Sequence, residues 1–251
     1  MLYPYGETLL SHLYPGSQHS SPCLEPAVTT FEQRLGLPPQ HRAKVIWRLD
    51  SGFGGDDNID WLLARNYQIL IKGHSNRRAA KLAQQVKRWL PVRTDKAVGR
   101  VETPVSFFRP VDTFVMRHQT RQGWKYSYLF SSLKLHSLPT VLLYEQRGGA
   151  ETEIRAHKSG LALSKRRKHK RDAQEVWIIL TDMVHNYLAW LTVTIFKDSP
   201  LAKYGLLRIS RDLFRTPGYI EIKEGQLLSV KLLKTSPHAA DLVACLERFW
   251  E

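Results

Sequence analysis

The apolar positions of the chain alternate between short β-branched runs and stretches with helical spacing. Lys44 to Leu49 (KVIWRL) is a run of the first kind, suited to a buried strand, and it ends at Asp50. Ser51-Gly52-Phe53-Gly54-Gly55 reads as a glycine-rich turn, Asp56 or Asp57 as a helix N-cap, and Ile59 to Arg65 carries helical periodicity. Tyr67 to Lys72 (YQILIK) returns to a strand. Strand, turn, helix, strand is the order of an α/β sheet with parallel neighbours.

The same reading predicts a strand over residues 7–14 and a helix from Leu24 to Leu35, stopped by Gly36 and Pro38. It predicts a basic helix from Arg77 to Leu90. Strands follow at Val98 to Val105, Thr113 to His118 and Trp124 to Phe130, with Arg121-Gln122-Gly123 as a hairpin turn. Beyond them lie a short apolar run (Thr140 to Leu143), a helical stretch (Gly149 to His157) and a long apolar helix (Asp172 to Phe196). Pro217 to Ile222 with Leu227 to Leu233 forms a hairpin, and Ala239 to Trp250 a last helix. The chain so read divides into a first part of an α/β core (1–72), a mainly β insertion with a basic helix (73–139) and a second part of the core (140–251). Val176 to Phe196 resembles a membrane span, but Asp182, His185 and Asn186 interrupt it. A central Asp alone costs about 3 kcal/mol on insertion scales, so a buried helix and no membrane are expected.

Charge sharpens this picture. The 251 residues hold 37 Lys and Arg against 23 Asp and Glu, a formal net charge of +14. Residues 1–72 and 172–251 are each net −1, whereas 73–143 are net +10 and 144–171 net +6. A solvated surface mixes both signs, so a block this one-sided points to a polyanion. Trp89, Phe107, Phe108, Trp124, Tyr126 and Tyr128 lie within it, and cations interleaved with rings suit nucleic acid. Two cysteines, Cys23 and Cys245, are too few for a disulfide framework and agree with a reducing cytoplasm. The ten histidines show no metal-ligand spacing.

Two groups of residues could carry chemistry. Asp50 closes a predicted strand, and ligands of α/β sheets bind at the carboxyl ends of strands, although a carboxylate there equally suits capping. Tyr144, Arg147, Glu151 and Lys158 share one face about 60° wide if a single helix begins at Tyr144. Taken alone they read as a surface salt-bridge row, with Arg147 and Lys158 flanking Glu151. The run Lys165 to Arg171, with Lys165, Arg166 and Arg167 at its start, is either a solvated loop or a DNA contact.

Tyr, two residues, Arg, three residues, Glu, six residues, Lys resembles the signature of one large group of DDE transposases encoded by bacterial insertion sequences. All four spacings match. That group sets its second catalytic Asp in an Asp-X-Gly-Phe context, matched here by Asp50-Ser51-Gly52-Phe53. The resemblance runs from about Tyr5 to the end. It implies an α/β, RNase H-like core interrupted by a β-rich insertion, catalysing metal-dependent cleavage and strand transfer of DNA. By the same resemblance, Asp50 and Glu151 bind Mg2+, with Mn2+ able to substitute. Tyr144, Arg147 and Lys158 hold phosphates of the transposon end, and Trp124 stacks a base. The implied partners are transposon-end and target DNA within a homodimeric synaptic complex, in the bacterial cytoplasm and near the nucleoid.

The sequence departs from this pattern in one respect. The group requires an earlier Asp on another strand, and no Asp precedes Asp50; only Glu7, Glu25 and Glu32 are acidic there. The reading is therefore a core that begins near its third strand, lacking the first ones, with impaired cleavage. A non-catalytic DNA-binding remnant is the alternative.

Overall fold

The computed structural model describes residues 6–146, 154, 158, 160, 161 and 170–250. The chain forms two compact units, Tyr14–Gly149 and the pair of segments Met1–Leu13 and Ala150–Glu251.

The first unit is a mixed six-stranded sheet between helices. Strands β1 (Ile46–Leu49) and β2 (Gln68–Lys72) are parallel, with Ile46 opposite Gln68 and Leu49 opposite Ile71, and helix α2 (Asp56–Ala64) joins them. This is the strand, turn, helix, strand order expected. Strands β3 (Leu90–Arg93), β4 (Lys96–Val101), β5 (Asp112–Thr120) and β6 (Gly123–Ser131) continue the same sheet antiparallel, in the order β1-β2-β6-β5-β4-β3. β6 joins the two halves through pairs such as Ile71 with Phe130. The β5–β6 turn is a two-residue loop, Arg121-Gln122, closed by the pair Thr120 with Gly123.

Side-chain alternation explains why the strands read as continuous apolar runs. Ile69, Ile71, Val115, Tyr128 and Phe130 face one cluster, completed by Leu24 and Val28 of α1 (Leu24–Leu35), Ile59, Leu62 and Leu63 of α2, and Ala79 and Leu82 of α3 (Asn76–Ala83). Leu70, Phe114, Met116 and Leu129 face the other, with Val141 and Tyr144 of α4 (Ser137–Glu145). A sheet covered on both faces needs apolar residues at every strand position.

Three expectations change here. The N-cap of α2 is Gly55, and Asp56 sits in the first turn, drawn into a bidentate pair with Arg78 at 2.7 and 2.8 Å. α3 ends at Ala83 because the chain then turns down onto β4: a Cβ on Gly99 would lie 2.1 Å from Cγ1 of Val86. Thr140 to Leu143 is part of helix α4.

α1 matches its predicted span, and Gly36 (φ +55°) ends it with an N–H shared between Gln33 and Glu32 carbonyls. Glu32 anchors it. Its carboxylate, 8% exposed, accepts from the Tyr67 hydroxyl, from Arg65 and from Arg42. Burial pushes the Glu32 pKa up, but the bonds from Tyr67 and Arg65 and the charges of Arg65 and Arg42 outweigh it, leaving it below the usual value. A depressed carboxyl stabilises the fold fully above its unfolded pKa and loses that contribution as pH falls through the folded value. Glu32→Gln is expected to cost about 3 kcal/mol at neutral pH, because it strands buried donors of two arginines. In urea melts the wild-type advantage should shrink on acidification below about pH 4.5. An equal advantage at acid and neutral pH would remove the network from the stability of this unit.

The second unit is built on α5 (Arg171–Thr194), α6 (Ala239–Trp250) and the hairpin β7 (Gly218–Lys223) with β8 (Gln226–Leu232). Leu188, Leu191, Ile195, Phe196, Leu201, Leu206, Ile209, Leu213 and Cys245 are its core. The strand expected over residues 7–14 is absent, since no ladder forms there. Its backbone bonds to side chains instead: Asn186 accepts from Thr8 N–H at 2.7 Å and donates to Thr8 O at 2.9 Å, and His185 Nε2 lies 2.8 Å from Gly6 O.

α5 also departs from the buried helix expected. Thr181, His185, Leu188 and Leu191 are buried, but Val176, Ile179, Leu180, Met183 and Tyr187 are exposed. By length and composition it is long and apolar enough to cross a membrane.

Candidate active site

The site starts from the end of β1. Asp50 follows the last strand residue, is exposed, and adopts extended geometry (φ −81°, ψ −179°). Its Oδ1 accepts from Gly52 N–H at 3.0 Å, capping the tight turn Ser51–Phe53. Capping occupies part of one carboxylate oxygen and leaves acceptor capacity for a second role. Opposite the turn, Ser20 Oγ donates to Gly52 O at 2.9 Å. A Cβ on Gly52 would lie 2.6 Å from Ser20 Oγ and 3.2 Å from Asp50 Oδ1, so the motif glycine is what allows Ser20 and the Asp50 carboxylate to close on one turn.

The turn is then pressed against the end of β2. A Cβ on Gly54 would lie 2.0 Å from Lys72 O, and one on Gly73 would lie 2.1 Å from the Tyr128 ring. His74 Nδ1 sits 3.1 Å from Gly54 O, and Asp56 of α2 holds Arg78 of α3. The bond to Asp56 raises the Arg78 pKa above its ordinary value, so this pair stays charged. Two parallel strand ends, the loop after each and the first turns of two helices are thereby locked together around Asp50.

From the opposite face of the sheet, α4 reaches the same strand end. The Tyr144 hydroxyl lies 3.4 Å from the carbonyl of Leu49, the residue before Asp50. In return Arg48 Nη1 donates to Leu143 O at 3.0 Å. Tyr144 is 8% exposed and packs with Leu70, Phe114 and Leu129. It lies in the last turn of α4, which ends at Glu145, whereas sharing one face among four signature residues requires a helix starting at Tyr144. Arg48 was not singled out by sequence reasoning. An arginine in an otherwise apolar strand was the available signal.

The remaining expected residues are distributed as follows. Arg147, Glu151, Lys165, Arg166 and Arg167 lie outside the described residues, as does most of the helix expected over Gly149 to His157. Lys158 is exposed at a helical position of the second unit. Trp124 lies on β6, 43% exposed, with the Arg117 guanidinium 4.5 Å from its ring centroid. The same guanidinium stacks on Trp89, also at 4.5 Å, so one face of Trp124 already carries a cation.

Asp50 offers the hard carboxylate oxygen that Mg2+ takes. Among the described residues no group of three or more His, Cys, Asp or Glu is assembled that could hold a metal ion, and Asp56 is committed to Arg78. The described residues do not by themselves fit a two-ion site.

The chain belongs to the family described as Transposase DDE domain group 1, which it matches over residues 3–250. A comparison with curated proteins found no match.

Proposed function

We propose that this chain is the DNA-holding core of a transposase, reading β1, α2 and β2 as the parallel part of an RNase H-like fold and β3 to β6 as its insertion. The observation that carries the proposal is the approach of Tyr144 to the strand end that bears Asp50, 95 residues apart in sequence. One residue of the four-residue signature, Tyr144, thus lies beside the strand end that bears the other motif. In this reading Asp50 and Glu151 are the carboxylates that would hold divalent cations, which would supply Lewis-acid chemistry at the phosphodiester. Tyr144, Arg147 and Lys158 hold the phosphates of a DNA end by hydroxyl, guanidinium and ammonium donors. Lys165, Arg166 and Arg167 extend that grip, and two copies of the chain bring two ends together.

β1 is the outer strand of its sheet among the described residues, and Ile46 on it is 44% exposed. This supports an incomplete site. Residues 1–49 contain no Asp, so the reading has no first Asp to set beside Asp50. The 251-residue chain therefore binds DNA ends but cleaves them poorly.

A competition experiment separates this function from general polyanion binding. A labelled duplex carrying the ends of the encoding element is titrated with the chain in excess scrambled duplex or RNA. Retention of the labelled duplex is expected. Equal displacement by all competitors would reduce the protein to a polyanion-binding module.

A further inference from the structure

Apart from Arg109, Arg117 and Lys134, the structure divides the basic residues of 73–143 into two groups. Arg78 pairs with Asp56, Arg93 and Lys96 with Glu145, Arg100 with Asp112, and His118 lies 3.2 Å from Asp95. These charges are answered within the protein. Arg77, Lys81, Lys87, Arg88, Arg121 and Lys125 are exposed and have no acidic partner among the described residues.

The elements that carry the unanswered group are tied to one another. Ala79 and Leu82 turn the inner side of α3 into the core, so Arg77 and Lys81, one turn apart, form a row on its outer side. α3 begins at the Asp50 loop, to which His74 and Arg78 tie it. After α3, Val86 is seated against Gly99, which fixes the segment carrying Lys87 and Arg88. Trp89 then stacks on Arg117, which stacks on Trp124, at 4.5 Å in each case. This sandwich fastens the segment to the β5–β6 hairpin, whose tip bears Arg121 and Lys125.

We propose that this row is a track for the DNA backbone, running from the Asp50 end of the sheet along α3 to the hairpin tip. The proposal rests on the transposase reading and adds where the duplex leaves the site. α3 is about 12 Å long at 1.5 Å per residue. One DNA strand presents a phosphate every ~3.4 Å of axis, so the helix spans three to four of them. The Arg117 sandwich is structural within this surface: it joins the Lys87–Arg88 segment to the hairpin, so the cations there meet DNA already aligned.

The test is the salt dependence of binding to a fluorescent duplex between about 50 and 200 mM salt. Arg77→Gln/Lys81→Gln/Arg88→Gln is compared with Arg93→Gln/Arg100→Gln, which removes answered charges. The first should lower the slope of log K against log salt by about 2.7 and weaken binding roughly a hundredfold; the second should change neither. Lys81→Gln alone, a solvent-exposed change, should lower the slope by about 0.9 and guards against misfolding of the triple variant. Wild-type binding with an unchanged slope in both track variants would overturn the track and leave the transposase reading standing. Absence of salt-dependent binding by the wild type would overturn both.

Discussion

Gly54→Ala is expected to destabilise the first unit by about 3 kcal/mol, the upper end of what an added methyl costs in a packed site. The added Cβ would sit 2.0 Å from the Lys72 carbonyl oxygen, 2.9 Å from its carbon and 3.1 Å from Gly73 Cα. All three are backbone atoms of the end of β2, so no side-chain rotation relieves the clash. The loop must withdraw from the sheet, breaking the contact of His74 with Gly54 O and shifting the Asp50 turn. Gly73→Ala should behave alike, because the ring it meets belongs to Tyr128, which is fully buried. Gly16→Ala, with nothing within 4 Å, is the control and should change stability by less than about 0.5 kcal/mol. Thermal melts of the three variants decide it. Gly54→Ala melting like Gly16→Ala would show that the loop is not packed on β2.

Much of this arrangement was legible in the sequence where one physical signal acted alone. α1 and α6 have the spans that apolar spacing and the Gly36 stop predict. β1, β2 and the β5–β6 hairpin follow from β-branched runs and a turn pair. Residues 7–14 misled because their extended pattern had no way to reveal that Asn186, far along the chain, would take the backbone bonds of Thr8. α4 read as a short apolar run because Pro139 breaks the pattern, yet it falls in the first turn, where a missing N–H costs nothing. The Glu32 network and the Arg117 sandwich join residues from separate elements, which no local spacing encodes. At the candidate site, Asp50 was visible from its strand-end position and motif. The Arg48 and Tyr144 ties to the opposite element needed the sheet to be assembled first.

The largest functional effect expected is a failure to cleave DNA. The proposed function calls for three carboxylates and has candidates for two, Asp50 and Glu151, while none of the residues before Asp50 is an Asp. Lacking one such carboxylate, the site would hold divalent cations weakly and would lose the electrostatic stabilisation they would supply. Loss of one such contribution costs about a hundredfold to a thousandfold in rate. DNA binding does not depend on that ligand and should persist, since the cations of α3 and the hairpin tip, which have no acidic partner among the described residues, remain.

The most direct measurement is therefore cleavage of a labelled element-end duplex by the purified 251-residue chain in Mg2+ or Mn2+, with Asp50→Asn and Glu151→Ala measured beside it. The account predicts that the wild type binds the duplex and nicks it no faster than either variant. Robust cleavage by the wild type that both substitutions abolish would contradict it, by showing that the chain completes its site without a further strand.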